Sequence, residues 1–201
     1  MRNRSRAAWI LFAALTAFNP TQAAAQKKDS PAFGQVHALS LDSSGRTVFL
    51  GAQAGLFRSR DDGRSWSKVS VSHKRAHIEI MDIAPDPREA KTIYVATREA
   101  GVRKSTDGGK TWGEVNGGLK GLDVRGLAID PQAPATLHAV LGEKGGGFYR
   151  TKDGGSKWTR VDDGPWGEVQ VLRSVDLPSG MGGIFLYAGT SMGLQRSPDC
   201  F

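Results

Sequence analysis

The stretch Arg58–Trp66 reads RSRDDGRSW, and the chain returns to that phrase three times. It recurs as KSTDGGKTW at Lys104–Trp112, as RTKDGGSKW at Arg150–Trp158, and in shortened form as RSPDCF at Arg196–Phe201. The hydroxyl residue of each copy stands at Ser59, Ser105, Thr151 and Ser197, a constant step of 46 residues. Asp61, Asp107, Asp153 and Asp199 keep that step, as do Gly63, Gly109 and Gly155, and likewise Trp66, Trp112 and Trp158. Gly55, Gly101, Gly147 and Gly193 precede the copies at the same interval, and each copy follows a basic residue. A period of this length marks a propeller, a solenoid or an array.

The segments between copies read as short strands joined by turn residues. In the third repeat VRGLAID (Val124–Asp130), TLHAVLG (Thr136–Gly142), GFYRT (Gly147–Thr151) and WTRV (Trp158–Val161) are separated by PQAPA, EKGG and KDGGSK. Four strands in 46 residues describe one blade of a β-propeller; a β-solenoid is the runner-up, with shorter repeats and fewer hairpins. The repeated phrase has a mechanical reading as the fold-back between strands three and four. Asp-Gly is a turn dipeptide in which glycine takes φ > 0 without steric cost. The carboxylate and the hydroxyl can accept hydrogen bonds from amides that a tight loop leaves unpaired. The Trp opens the last strand and covers the hairpin with an apolar face.

These residues resemble the Asp-box, or BNR repeat, with its pattern Ser/Thr-x-Asp-x-Gly-x-Thr-Trp. SRDDGRSW and STDGGKTW match it, TKDGGSKW departs at Lys157, and SPDCF keeps only Ser197 and Asp199. The resemblance runs from about Val36 to the C-terminus. It implies an all-β, partial β-propeller with three complete four-stranded blades and an incomplete fourth. It also implies that the box aspartates are structural and lie at the outer edge. Asp-boxes occur in sialidases, xyloglucanase-type glycosidases, sortilin-like receptors and proteins similar to the photosystem II stability/assembly factor. The cadence IAPDP…TIYVAT…GVRKSTDGGKTW is most similar to the assembly-factor and xyloglucanase-like groups.

Ahead of the repeats, residues 1–25 read as a secretory signal peptide. MRNRSR is a basic n-region, AAWILFAALTAF an apolar core of 12 residues, and Ala23–Ala25 a small-residue cleavage site before Gln26. The core is short for a membrane span, so no stable insertion is expected after cleavage; an uncleaved anchor is the alternative. The expected location is periplasmic or extracellular. Removing Arg2, Arg4 and Arg6 lowers the basic residues from 27 to 24 against 20 acids, so the net charge falls from +7 to +4. That excess, in an exported chain, gives no basis for nucleic-acid binding. The lone Cys200 forms no internal disulfide, and no metal-ligand spacing or cofactor motif occurs, so no metal and no cofactor are expected.

Residues 26–35 read as a linker, followed by blades at about 36–71, 78–116, 123–162 and 169–201. The fourth blade lacks its last strand. Truncation of a larger propeller, dimerisation into a closed ring, and completion by QKKDSPAFG are the three explanations. Open blade edges invite self-association.

The connections from strand four to the next blade and from strand two to three share one face of a propeller, and that face is the candidate binding face. It holds the HKRAH patch with His73, Lys74, Arg75 and His77, the loop residues Arg98 and Glu99, and Trp166 as a stacking platform or partner anchor. A protein partner or a glycan is expected there. No catalytic residue is assigned. The adjacent Asp162 and Asp163 point apart on an extended segment, whereas a glycosidase needs two carboxyl groups facing each other. The Arg-Ile-Pro phrase of sialidases is absent, and Tyr94, Tyr149 and Tyr187 all lie in strands. The leading reading is an exported, non-catalytic propeller module in protein binding, assembly or scaffolding. A fragment of a carbohydrate-active enzyme is the alternative.

Overall fold

The computed structural model describes residues 31–71, 78–142, 146–176 and 184–197. Among these residues there are strands and no helix. Blade one is β1 (Val36–Leu41), β2 (Val48–Ala52), β3 (Gly55–Ser59) and β4 (Ser67–Val69). Blade two is β5 (Ile80–Pro85), β6 (Ile93–Thr97), β7 (Gly101–Ser105) and β8 (Gly113–Glu114). Blade three is β9 (Val124–Ile129), β10 (Leu137–Leu141), β11 (Gly147–Thr151) and β12 (Thr159–Asp162). Blade four is β13 (Val169–Asp176), β14 (Ile184–Thr190) and β15 (Gly193–Arg196). Each blade is an antiparallel meander paired in chain order, three of four strands and the last of three. The first strands β1, β5, β9 and β13 pack side by side in succession, the arrangement of a propeller.

Alternation fixes which residues face the neighbouring blade. The apolar clusters accordingly lie between blades. Phe49, Leu56 and Val69 of blade one meet Ile80, Ile83 and Trp112 of blade two. Tyr94, Ala96 and Val102 of blade two meet Leu127, Leu137 and Trp158 of blade three. Phe148 and Val140 of blade three meet Leu172, Ile184 and Leu186 of blade four. The box tryptophan therefore does more than cover its own hairpin: Trp112 and Trp158 each pack on the preceding blade. Trp66, on the first blade, packs on Phe33 and Phe57 instead. Each of the three box tryptophans also stands just before its strand, since the last strand of blade three begins at Thr159.

In the first box Ser59 Oγ donates to Asp61 Oδ1 at 2.7 Å and accepts from the Gly63 amide at 2.9 Å. The Ser65 amide and hydroxyl donate to the two oxygens of Asp61 at 2.9 and 2.5 Å. The second box repeats this with Ser105, Asp107, Gly109 and Thr111. In the third, Thr151, Asp153 and Gly155 keep the arrangement, but Lys157 contributes only its amide. The turn requires a positive φ one residue after the aspartate: 58° at Asp62, 74° at Gly108 and 68° at Gly154. Asp62 is tolerated there because a short polar side chain enters the left-handed region at modest cost. In the fourth copy Ser197 accepts from the Leu186 amide, while Asp199 lies outside the described residues.

The hydrogen bonds act on the carboxyl groups. The Ser65 hydroxyl and amide, with Ser59, hold Asp61 at about 2. The Thr111 hydroxyl and amide hold Asp107 well below the usual carboxylate range. Asp153 is lowered by the Thr151 hydroxyl and the Lys157 amide. A carboxyl depressed in the fold contributes stability above its unfolded pKa and loses it as pH falls through the folded one. Lys157→Thr supplies the missing hydroxyl to Asp153. A rise in Tm of a few degrees is expected at pH 7, read by circular dichroism, fading in acid as Asp153 takes up its proton. An unchanged Tm at pH 7 would show that the third box gains nothing from the second oxygen.

Candidate functional site

The first strand of every blade carries a bulge near its start, where the register shifts across Val36/Ala38, Ile80/Asp82, Val124/Gly126 and Val169/Val171. A bulge re-aims the residue it leaves unpaired. Those residues are His37, Met81, Arg125 and Gln170. The residues just ahead of the strands are Gln35, Glu79, Asp123 and Glu168. Each accepts, on its carbonyl, an amide hydrogen bond from the connection between strands two and three of its own blade, at Gln53, Arg98, Gly142 and Ser191 respectively. Four equivalent positions, three of them acidic, thus line one rim of the propeller.

The bulged residues of one blade reach the acids of the next. His37 Nε2 lies 2.8 Å from Glu79 Oε1, and Arg125 donates to Glu168 at 3.0 Å. Within their own blades, Arg98 Nε meets the other oxygen of Glu79 at 2.7 Å and Arg125 Nε meets Asp123 at 2.7 Å. Burial works against the charge of Arg125, but Asp123 and then Glu168 and Glu79 hold its pKa above the usual arginine value. Glu79 is therefore paired with Arg98, and Asp123 and Glu168 share Arg125; the His37–Glu79 hydrogen bond ties blade one to two and the Arg125–Glu168 ion pair ties blade three to four. Blade two carries Met81 at the bulge, a side chain with no charge to offer Asp123.

A cavity of about 860 Å³ opens beside this rim, lined by Arg98, Glu99, Asp123, Arg125 and Glu168 among others. The two kinds of connection do converge on one face, and Arg98 and Glu99 lie in this cavity. Trp166 stands beside this cavity, between Pro165 and Gly167, which line it. It is 81% exposed and itself borders the adjoining groove that shares Pro165, with its backbone amide donating to Gln195 Oε1 at 2.8 Å and its carbonyl accepting from Gln195 Nε2 at 2.6 Å. His73, Lys74, Arg75 and His77 lie outside the described residues. Sequence reasoning did not single out His37, Glu79, Asp123, Arg125 or Glu168. Their signal was the recurrence of an acid or amide residue directly before each first strand, at steps of 44 and 45 rather than 46.

A second charged group joins three blades at the inner strands. Asp82 is only 2% exposed. Its carboxylate accepts the amides of Ile83 at 2.8 Å and, from the neighbouring blade, Leu127 at 3.1 Å. Arg173 of blade four donates to both of its oxygens at 3.1 and 3.0 Å. Burial pushes the Asp82 carboxyl up, opposed by Arg173 and the two amides. Chemically the rim and this clip are arrays of mutually compensated charge. Among the described residues no group of three or more metal-ligating side chains converges, and no helix is long and apolar enough to cross a membrane.

The fold recurs among solved structures of low sequence identity. An ancestral GH74 enzyme is 20% identical with a TM-score of 0.63, over 82% of this chain and 23% of its own. YCF48 bound to D1 peptide is 17% identical with a TM-score of 0.59, over 81% of this chain and 50% of its own. A chain of the nidogen/laminin complex is 15% identical with a TM-score of 0.60, over 81% and 60% respectively. The chain thus spans less than two thirds of each. No curated protein matches it significantly in sequence. The Sortilin-Vps10 model, described as sortilin, neurotensin receptor 3, matches residues 54–167, from the turn before β3 through all of blades two and three. With more than half of its length so matched, the chain belongs to the Sortilin-Vps10 family.

Proposed function

We propose that the chain is an exported, non-catalytic Asp-box propeller module that binds another protein through its rim face, in assembly or scaffolding. The observation that carries this reading is the charge arrangement of the rim cavity. Glu79, Asp123 and Glu168 are each engaged by His37, Arg98 or Arg125, leaving a mixed-charge surface suited to polar complementarity rather than a pair of facing carboxyl groups. The likeness to YCF48, whose structure was solved bound to D1 peptide, supports a protein partner. Export rests on the signal-like residues 1–25. The carbohydrate-active alternative draws on the exposed indole of Trp166, a ring suited to stacking on a sugar face.

The test uses the immobilised full chain against the extracytoplasmic fraction of its source cells, beside a panel of polysaccharides assayed for reducing-sugar release. A retained protein partner is expected, with capture reduced at least about tenfold by Arg98→Glu, which reverses a charge in the cavity wall. Capture indifferent to Arg98→Glu, or sugar release above the background of the heat-treated chain, would overturn the reading.

A further inference from the structure

The rim acids are not equally supplied with cations. At Glu79 both carboxylate oxygens are engaged. Oε1 meets His37, the bulged residue of the preceding blade, and Oε2 meets Arg98, from the connection between strands two and three of its own blade. Those two positions can be followed around the rim. For Asp123 they hold Met81 and Gly142; for Glu168 they hold Arg125 and Ser191. Neither Met81 nor Gly142 offers a charge. Asp123 is instead met by Arg125 of its own blade at 2.7 Å, and the same guanidinium serves Glu168 at 3.0 Å. Two carboxylates thus share one cation. Each gives it a single oxygen, and among the described residues no other donor reaches Asp123 Oδ2 or Glu168 Oε2.

The rim cavity lies where blade two carries its arginine and blade three does not. Gly142, the counterpart of Arg98, lines it together with Asp123, Arg125 and Glu168. Asp123 Oδ2 stands so close over the Gly142 backbone that a Cβ there would collide with it. Exposure also sorts the charges: the Arg125 side chain is 16% exposed, against 30% for Asp123 and 67% for Glu168. Negative charge therefore faces outward. Leu122 and Pro165 extend the wall with apolar surface, suited to the methylene stem of a long cationic side chain. We propose that the cavity seats an arginine side chain of the protein partner, whose guanidinium bridges Asp123 and Glu168 and supplies what Arg98 supplies to Glu79. A guanidinium fits this place better than an ammonium, because its planar fork directs donors to two acceptors at once. Resting on the rim-face reading above, the seat specifies the residue that the partner brings.

The probe is N-acetyl-arginine amide, titrated into the isotope-labelled full chain and followed by NMR amide shifts. Saturable shifts at Gly142 and Glu168 are expected, with a dissociation constant on the order of 1 mM at low salt. N-acetyl-citrulline amide, which keeps the shape and lacks the charge, should give none. Glu168→Gln should weaken binding about fivefold, and Asp123→Asn by a similar factor. Glu168 is exposed, so the circular-dichroism melt of its variant should match that of the parent chain. Glu79→Gln should leave the affinity unchanged, since both oxygens of Glu79 are already engaged. Equal affinity for the citrulline probe or indifference to Glu168→Gln would overturn the proposal. So would binding that appears only in Lys144→Ala, since the chain's own lysine would then hold the seat. Partner capture that falls with Arg98→Glu but not with Glu168→Gln would overturn the arginine seat and leave the rim reading in place.

Discussion

Replacing Asp82 by alanine is expected to lower the free energy of unfolding by about 3 kcal/mol, measured by urea denaturation at pH 7. The loss does not come chiefly from the charge pair. Arg173 is 48% exposed on its side chain and can recover much of its solvation when its partner is removed. It comes from the amides. β9 is paired on one side only, by β10, and the Leu127 N–H is met by Asp82 from the neighbouring blade. The Ile83 amide is met by the same carboxylate. A buried amide left without an acceptor costs about 1–3 kcal/mol, and alanine orphans both. Asp82→Asn keeps one acceptor oxygen and should lose about half as much. Arg173→Ala should cost about 1 kcal/mol or less, since it leaves both amides satisfied. Equal losses for the three variants would show that the ion pair, not the amide cap, holds the blades. A loss below about 0.5 kcal/mol for Asp82→Ala would place it among ordinary surface substitutions and remove the cap altogether.

The blades were legible because the box is local. Ser59, Asp61, Gly63 and Trp66 act within nine residues, and a constant step multiplies that signal across the chain. The direction in which the tryptophans pack was not legible. Whether an indole faces its own hairpin or the preceding blade depends on the stacking of sheets, which leaves no mark in a single repeat. The rim was hidden for a related reason. Glu79, Asp123 and Glu168 follow connections of unequal length, so their steps drift from 46 and dissolve in a search anchored on the box. Their partners His37 and Arg125 are re-aimed by bulges, and bulges have no sequence signature in either residue. Asp82 did leave a trace. The equivalent positions just after the bulge hold Ala38, Gly126 and Val171, so a carboxylate there is the exception that a position-by-position alignment of the repeats exposes. Trp166 was grouped with the face by its place in a connecting loop. Its loop does line the rim cavity through Pro165 and Gly167, while the paired bonds of the Trp166 backbone with the Gln195 side chain tie the loop to blade four.

Trp158→Ala is expected to cost about 4 kcal/mol, the range for deleting a large buried aromatic. Trp158 is 2% exposed and lies in the cluster joining blades two and three, among Tyr94, Val102 and Leu137. Its amide also donates to the Gly117 carbonyl at 2.6 Å, so the backbone of the preceding connection is fixed with it. Trp158→Phe retains most of the apolar contact and loses the indole bond to Val115, and should cost about half as much. The comparison that decides the physical role is with Trp66, which is only partly buried and packs on Phe33 and Phe57 rather than on a preceding blade. If the tryptophan clips its own hairpin, the alanine variants at Trp66, Trp112 and Trp158 should lose similar stability, and amide protection should fall only in the blade that carries the change. If it joins blades, Trp112 and Trp158 should lose at least about 2 kcal/mol more than Trp66, in proportion to the cavity each leaves. For Trp158→Ala, hydrogen exchange should then quicken in β6 and β7 of blade two as well as in β11, because one side chain fills the space that both blades share.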